Sequence, residues 1–318
     1  MKTSCLINNF NYARYLSAAV DSAFAQTLAF DEVIVVDDCS IDDSVAVLAN
    51  LKLTHPRLQI VTHPSNRGQL AAFESGIGLA TGDVVFFLDA DDVYAPHYLA
   101  EATRLYAAEK DCDFVFCNHQ MFETALVFPT ASDEGSKPIV TDLGRSVLRT
   151  SISAHIRFVG NTTSCLSMKR KIASALLPYP WPDDWVTRAD EVLVVGASMS
   201  GARKYHIEAE LVGYRVHDSN FFLNNSRWSE PDGQFSYLVF RLRLIAWLKA
   251  RFGITRDIEK LAYLEFKTIA QPSLAMLLNY IDIVWRHGVP RGTSRVRSIL
   301  GMAKGYYTSR LSSRRSGK

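Results

Sequence analysis

The chain has 318 residues, 48% of them hydrophobic and 21% charged, with a net charge of +2. At roughly 150 residues per domain this length suggests about two domains, or one α/β domain with an extension, and the composition excludes a disordered chain. No uninterrupted apolar stretch reaches the ~18 residues of a spanning helix, and the first apolar run, broken by Asn8 and Asn9, does not read as a signal peptide. In chain order, Ser4–Ile7 opens a strand, and Ala13 to Gln26 has helical spacing, with Tyr15, Leu16, Ala19, Val20, Ala23 and Phe24 on one face. Glu32 to Asp38 is a buried strand ending in acid, and Ser40 with Asp43 reads as the N-cap of the next helix. A strand over 58–62, a helix over 69–80, a strand over 84–89, a helix over 97–109 and a strand over 112–117 follow.

Regular alternation of this kind predicts a Rossmann-like, mostly parallel sheet with helices on both faces. Two of its strands end in carboxylates, at Asp37-Asp38 and at Asp89-Ala90-Asp91-Asp92. Ligands of open α/β sheets bind outside the carboxyl ends of the strands. Clustered negative charge there is costly without a cation. Asp89 and Asp91 therefore read as holding a divalent ion with a phosphate-bearing ligand on its far side, against the plainer reading of a solvated acidic turn. The first strand is not followed by Gly-x-Gly-x-x-Gly, and no Walker-A motif is present, which disfavours a nicotinamide dehydrogenase or a P-loop enzyme. The five cysteines are odd in number and form no Cys-x-x-Cys, which fits buried thiols in a reducing compartment.

An ordered set of motifs carries a resemblance. Ser4-Cys5-Leu6-Ile7-x-x-Phe10-Asn11-Tyr12, Ala25-Gln26-Thr27, Val35-Val36-Asp37-Asp38-x-Ser40-x-Asp42, Asn66-x-Gly68, Ala80-x-Gly82-Asp83 and Phe87-Leu88-Asp89-Ala90-Asp91-Asp92 fall within the first hundred residues. This half of the chain resembles the GT-A inverting glycosyltransferases of family 2. The resemblance implies a GT-A fold, a nucleotide-diphosphate sugar such as a UDP-sugar, Mn²⁺ or Mg²⁺, and transfer to an acceptor hydroxyl with inversion. It implies nucleotide contacts for Asp38 (to the base), Asn8, Arg67 and Asp89, although Arg67 also reads as a surface cation. Asp91 would ligate the metal bridging the diphosphate, and Asp92 would support the loop.

In the second half, 129–138 is a polar, turn-rich loop and Gly160 to Ser164 resembles the family's strand into the acceptor site. Ala189-Asp190-Glu191 precedes an apolar helix. The resemblance gives Asp190 the place of the general base, with Glu191 as its rival; such a group is needed because a sugar hydroxyl is a weak nucleophile. Asp183 and Asp184 read as loop acids. Tyr214-Arg215-Val216-His217 matches a family Tyr-Arg-x-His pattern. His217 then stands as a third metal ligand, a diphosphate donor or a structural hydrogen bonder, with Arg215 in support. Asn224-x-x-Arg227-Trp228 only faintly resembles a motif of processive synthases, and the flanking spanning helices are missing, so a single sugar transfer is expected.

The domain reading is a transferase over 1–228, its nucleotide half about 1–118 and its acceptor half about 119–228, followed by a helical extension over 229–318. In the first extension helix Phe235, Leu238, Val239, Leu242, Ile245 and Leu248 form an apolar stripe against Arg241, Arg243, Lys249 and Arg251. The tail carries Arg291, Arg295, Arg297, Lys304, Arg310, Arg314, Arg315 and Lys318 with no acid among them. It suits anionic lipid or a solvated terminus better than nucleic acid, for which no recognition fold is present. The leading expectation is a cytoplasmic, possibly peripheral-membrane transferase of bacterial surface glycan synthesis acting on a glycan or lipid-linked acceptor. A non-catalytic sugar-nucleotide binder or scaffold is the alternative. A nucleotidyltransferase is disfavoured because Asn8 to Tyr12 is not a Gly-rich basic loop.

Overall fold

Strand β1 (Thr3–Asn9) is buried along almost its whole length because parallel strands flank it on both sides, β2 (Glu32–Asp37) on one edge and β4 (Val84–Asp89) on the other. Both faces of a parallel strand are covered by crossover helices, which explains the continuous apolar runs Val33–Val36 and Val84–Leu88. The computed structural model describes residues 1–124, 126, 128, 138–147, 158–218, 231–254, 258–269, 272–287 and 293–315, with the side chains of 231–232 and 310–315 excluded. The loop 129–138 except its last residue, the motif at 224–228, Arg291 and Lys318 lie outside the described residues.

Among the described residues the sheet has nine strands, in the order β3-β2-β1-β4-β8-β6-β9-β5 with β7 paired to β9. Here β3 is Leu58–Thr62, β5 Val93–Tyr94, β6 Phe114–Phe122, β7 Val140–Gly144, β8 Leu166–Lys169 and β9 Lys204–Arg215. Strands β3, β2, β1 and β4 are parallel, and β8 runs antiparallel between β4 and β6. The mixed half begins where the motifs of the first hundred residues end. Helices α1 (Ala13–Phe24), α2 (Ser44–Thr54) and α4 (Tyr98–Ala108) contribute to the core on one face, around Leu16, Val20, Phe86 and Tyr98. On the other face α3 (Gln69–Leu79), α5 (Arg170–Ala175) and α6 (Asp190–Met199) pack around Leu6, Phe73, Phe87 and Trp185. All five cysteines are free and four of them are buried.

Two local expectations change. Ser40 does not cap α2. Its hydroxyl donates to Asp37 Oδ1 at 2.6 Å and accepts from the Asn11 N–H at 2.8 Å, and Asp42 Oδ1 instead takes the Ser44 N–H at 3.0 Å. A buried carboxylate two residues before the turn outcompetes the helix end for the hydroxyl. The stripe expected on the first extension helix, α7 (Pro231–Arg251), also splits. Leu244, Ile245 and Leu248 are buried in the same core cluster as α3 and α6, whereas Phe235, Leu238 and Leu242 face solvent. Apolar residues lie all round this helix, so periodicity alone did not select the buried face. Two of its arginines bond to the body of the protein: Arg243 pairs with Asp184 at 2.9 Å and Arg251 Nε donates to Ala175 O.

The expected boundary at 228/229 falls outside the described residues, and one core cluster of the sheet includes Leu244, Ile245 and Leu248 of α7. The change of core comes later, at α8 (Ile258–Phe266), α9 (Leu274–His287) and α10 (Thr293–Arg315), which enclose a separate cluster including Phe266, Tyr280, Val284 and Met302. Among the described residues no helix is long and apolar enough to cross a membrane.

Candidate active site

Because β1, β2 and β4 are parallel and in register, their carboxyl ends emerge side by side, with Asn8 opposite both Val36 and Asp89. Asp37 stays in the wall, where Asn9 Nδ2 donates to it at 2.6 Å. Asp38 opens onto the cavity but already accepts from the Arg67 N–H at 2.9 Å, the Gly68 N–H at 2.7 Å and His63 Nδ1 at 2.6 Å. The Arg67 N–H is shared with the second carboxylate oxygen at 3.1 Å, so each oxygen of Asp38 already takes part in two hydrogen bonds. The same bonds fix the 66–68 loop. Gly68 has φ +83°, and a Cβ there would stand 2.7 Å from Val186 Cα, so only glycine fits between this loop and the 186–190 segment. Arg67 contributes its backbone N–H; its side chain is exposed and does not line the cavity.

The 89–92 loop is held from two directions. Ser164 Oγ accepts from the Asp89 N–H at 3.0 Å and donates to Asp92 Oδ2 at 2.6 Å, while the Arg215 N–H donates to Asp92 Oδ1 at 2.9 Å. Asp92 thus fastens the end of β9 to the loop. Burial and the charges of Asp91 and Asp89 hold its carboxyl well above the usual range. Arg215 lies over Phe122 and Tyr15 and donates through Nε to Asp91 O at 2.9 Å. The chain then delivers His217 to Asp91, with Nε2 and Oδ2 3.0 Å apart and the imidazole tilted against Tyr15 at 4.6 Å.

Asp89 is pushed up to about 7, chiefly by burial and then by Asp91, with Asp190 adding to it; hydrogen bonds from Asn8 and Gln69 act against the shift. Asn8 Oδ1 is buried without a hydrogen-bond partner among the described residues.

Gln69 links the two halves of the site. Its Nε2 donates to Asp89 Oδ1 at 2.9 Å and its Oε1 accepts the Ala189 N–H at 3.0 Å, immediately before Asp190. Arg188 adopts φ +60°, a left-handed conformation that costs a non-glycine residue roughly 1–2 kcal/mol. Asp190 begins α6, partly exposed, and burial followed by the charge of Glu191 pushes it up to about 7, with Arg188 opposing. Glu191 is buried and engaged: Tyr237 Oη donates to its Oε1, Arg188 Nη2 lies 3.3 Å from the same oxygen, and Arg241 Nε is 3.6 Å from Oε2. Asp184 is likewise occupied by Arg243 and Tyr179.

These groups share one cavity of about 760 Å³. Of the residues expected from the sequence, Asn8, Asp38, Asp89, Asp91, Asp190 and Glu191 line it, while Asp92, Arg215 and His217 stand behind the wall. Sequence reasoning gave Ser164 only a place in the stretch resembling the acceptor-site strand, and assigned no functional role to Gln69, His63, Arg188, Tyr237 or Arg241. The only signal for Gln69 was its place next to Gly68, and for Tyr237 and Arg241 a tyrosine and an arginine four apart in an extension helix. Among the described residues no group of three or more His, Cys, Asp or Glu side chains forms a closed metal cage.

The family model for glycosyl transferase family 2 matches residues 4–172, more than half of the chain, and the protein belongs to that family. An uncharacterized glycosyltransferase of Nostoc sp. is 34% identical over 69% of this chain and 66% of its own length. The succinoglycan biosynthesis protein ExoO of Rhizobium meliloti is 39% identical over 28% of this chain and 25% of its own. The chain thus spans less than two thirds of these relatives. Among solved structures, TarS 1–349 of S. aureus in complex with UDP superposes with a TM-score of 0.52 at 15% identity, covering 99% of this chain and 92% of that one. The mannosyltransferase PcManGT from Pyrobaculum calidifontis, in complex with GDP-Man and Mn²⁺, gives 0.51 at 18% identity over 96% and 87%. The chain has the mixed α/β, GT-A architecture of these neighbours.

Proposed function

We propose that this enzyme transfers a single sugar, with inversion, from a nucleotide-diphosphate sugar to an acceptor hydroxyl, and that it uses a divalent metal ion. The observation that carries the reading is that Asp38, Asp91 and Asp190, far apart in the chain, line one cavity. The base and ribose belong beside Asp38 and Asn8, both on the cavity wall, and the orphaned Oδ1 of Asn8 is what an N–H or O–H donor of a nucleoside would fill. UDP is the favoured nucleotide. TarS complexes contain UDP or UDP-GlcNAc and PcManGT contains GDP-Man.

Asp91 and His217 fit a resident Mn²⁺ or Mg²⁺. They offer an oxygen and a nitrogen 3.0 Å apart, and the Asp91 carboxylate adds to the burial that raises its neighbour Asp89. Hard divalent ions of this kind need few protein ligands when a diphosphate supplies the others. When bound, the metal supplies stabilisation of the charge developing on the departing diphosphate.

Asp190 takes the acceptor proton. The acceptor oxygen forms its bond to the anomeric carbon as the bond from that carbon to the diphosphate oxygen breaks; the proton passes to the carboxylate and the nucleoside diphosphate leaves. A base poised near 7 suits this work at neutral pH. Glu191 is the poorer candidate because it is buried, with Tyr237 and Arg188 on one oxygen and Arg241 3.6 Å from the other.

The acceptor is a glycan or lipid-linked molecule of a surface polysaccharide. Docking on anionic lipid is consistent with α10, in which Arg295, Arg297 and Lys304 accompany exposed Val296, Leu300 and Tyr307, and Thr293–Arg315 contains no acid. A panel of UDP- and GDP-sugars, assayed for released nucleoside diphosphate with Mn²⁺, tests the reading, and proton NMR of the product's anomeric configuration tests inversion. A site that binds UDP yet turns over no sugar in the panel would be a binder and not a transferase.

A further inference from the structure

We infer that Tyr237, on a helix outside the family-matched residues 4–172, is a positioning residue for the base, so that α7 is part of the catalytic apparatus. The inference rests on the assignment of the base to Asp190.

The turn that carries Asp190 has few restraints of its own. No side chain caps the start of α6, and Arg188, two residues earlier, is held at positive φ. Besides the Gln69 N–H, which donates to Val186 O at 2.9 Å, two side-chain ties among the described residues locate it. One is Gln69, through the Ala189 N–H. The other is Glu191, the neighbour of Asp190, whose buried carboxylate receives Tyr237 Oη and Arg188 Nη2 on one oxygen and faces Arg241 on the other. Two of those three partners come from α7.

The arrangement is suited to holding a turn. Tyr237 Oη also accepts from Arg188 Nη2 at 3.1 Å, and its ring lies beneath the guanidiniums of Arg188 at 4.4 Å and Arg241 at 5.2 Å. Trp185 closes the far edge of the ring at 6.1 Å. On the helix, Tyr237, Arg241, Leu244 and Leu248 follow one face. Burial of the last two in the transferase core therefore fixes where the first two point. A cation can relax along a water-filled path; a phenol ring wedged between two guanidiniums and an indole has one place to put its hydroxyl.

The test compares Tyr237→Phe with wild type and with Asp190→Asn on whichever nucleotide sugar supports turnover. Tyr237→Phe keeps the ring and its stacking and removes only the hydroxyl. The expected result is a fall in kcat of about tenfold or more with the KM for the sugar nucleotide within about twofold, because small misplacement of a reacting group costs rate more than binding. Its melting temperature should stay near that of wild type, which separates positioning from folding. Glu191→Gln, which still accepts the hydroxyl, should retain more activity than Glu191→Ala. A Tyr237→Phe enzyme with wild-type kcat beside an inactive Asp190→Asn overturns the inference and leaves the base assignment standing. An active Asp190→Asn overturns the base assignment itself.

Discussion

Gln69 ties Asp89 to Ala189: one end of its amide donates to the Asp89 carboxylate at 2.9 Å, the other accepts the Ala189 N–H at 3.0 Å. A planar amide with both ends engaged sets the spacing between the Asp89 side of the cavity and the turn bearing Asp190. Gln69→Leu is close in size but offers neither hydrogen bond. Its kcat is expected to fall on the order of 10- to 100-fold, the cost of a misplaced constellation. Steady-state kinetics check this; a kcat within about twofold of wild type would show that the amide is a bystander.

The acidity of Asp190 gives a pH dependence with opposite signs for rate and stability. Below about 7 the base is protonated, so kcat should fall with an acid limb near that value, approaching tenfold per pH unit. Because the folded-state value lies above the ordinary 3.8, this group's contribution to stability is fully present below about 4 and is lost as pH rises through about 7. Asp190→Asn should therefore melt several degrees above wild type at about pH 8 and show a smaller difference at about pH 5. Calorimetry at the two pH values decides it.

Removal of metal should be visible without turnover. If Asp91 and His217 hold the ion, Mn²⁺ added with UDP should raise the melting temperature in a concentration-dependent way, and excess chelator should reverse it. His217→Ala and Asp91→Asn should each lose most of that rise. An unchanged rise in both variants would place the ion elsewhere.

Two glycines ten residues apart should respond in opposite directions. At Gly68 a Cβ meets Val186 Cα at 2.7 Å on a backbone with φ +83°, so Gly68→Ala should destabilise by about 1–3 kcal/mol and depress activity. At Gly78, inside α3, a Cβ meets nothing within 4 Å, and Gly78→Ala should stabilise by about 0.5–1 kcal/mol. Denaturant midpoints measure both.

The legible part of the site was its acids. Asp38, Asp89 and Asp91 follow buried strands, and strand periodicity together with regular alternation was enough to send them to one edge of the sheet. Asp190 was legible through its motif and through the apolar helix behind it. Its supports were not. Gln69, Tyr237 and Arg241 act through hydrogen bonds and ion pairs spanning 20 to 120 positions, and nothing local distinguishes them from surface residues. Ser40 was misread because a capping serine and a serine bound by a buried aspartate look alike in sequence. Arg67 carried its signal in the wrong atom, since the backbone N–H and not the guanidinium meets Asp38.

The central claim is that one cavity holds a metal-assisted donor site and a base acting on the same sugar. The most direct measurement is Mn²⁺-dependent release of nucleoside diphosphate from the preferred nucleotide sugar, in the presence of acceptor, by wild type and Asp91→Asn. The account predicts robust release by the wild type, loss on chelation, and a fall of at least about 100-fold in the variant. Release by Asp91→Asn at near wild-type rate would contradict it.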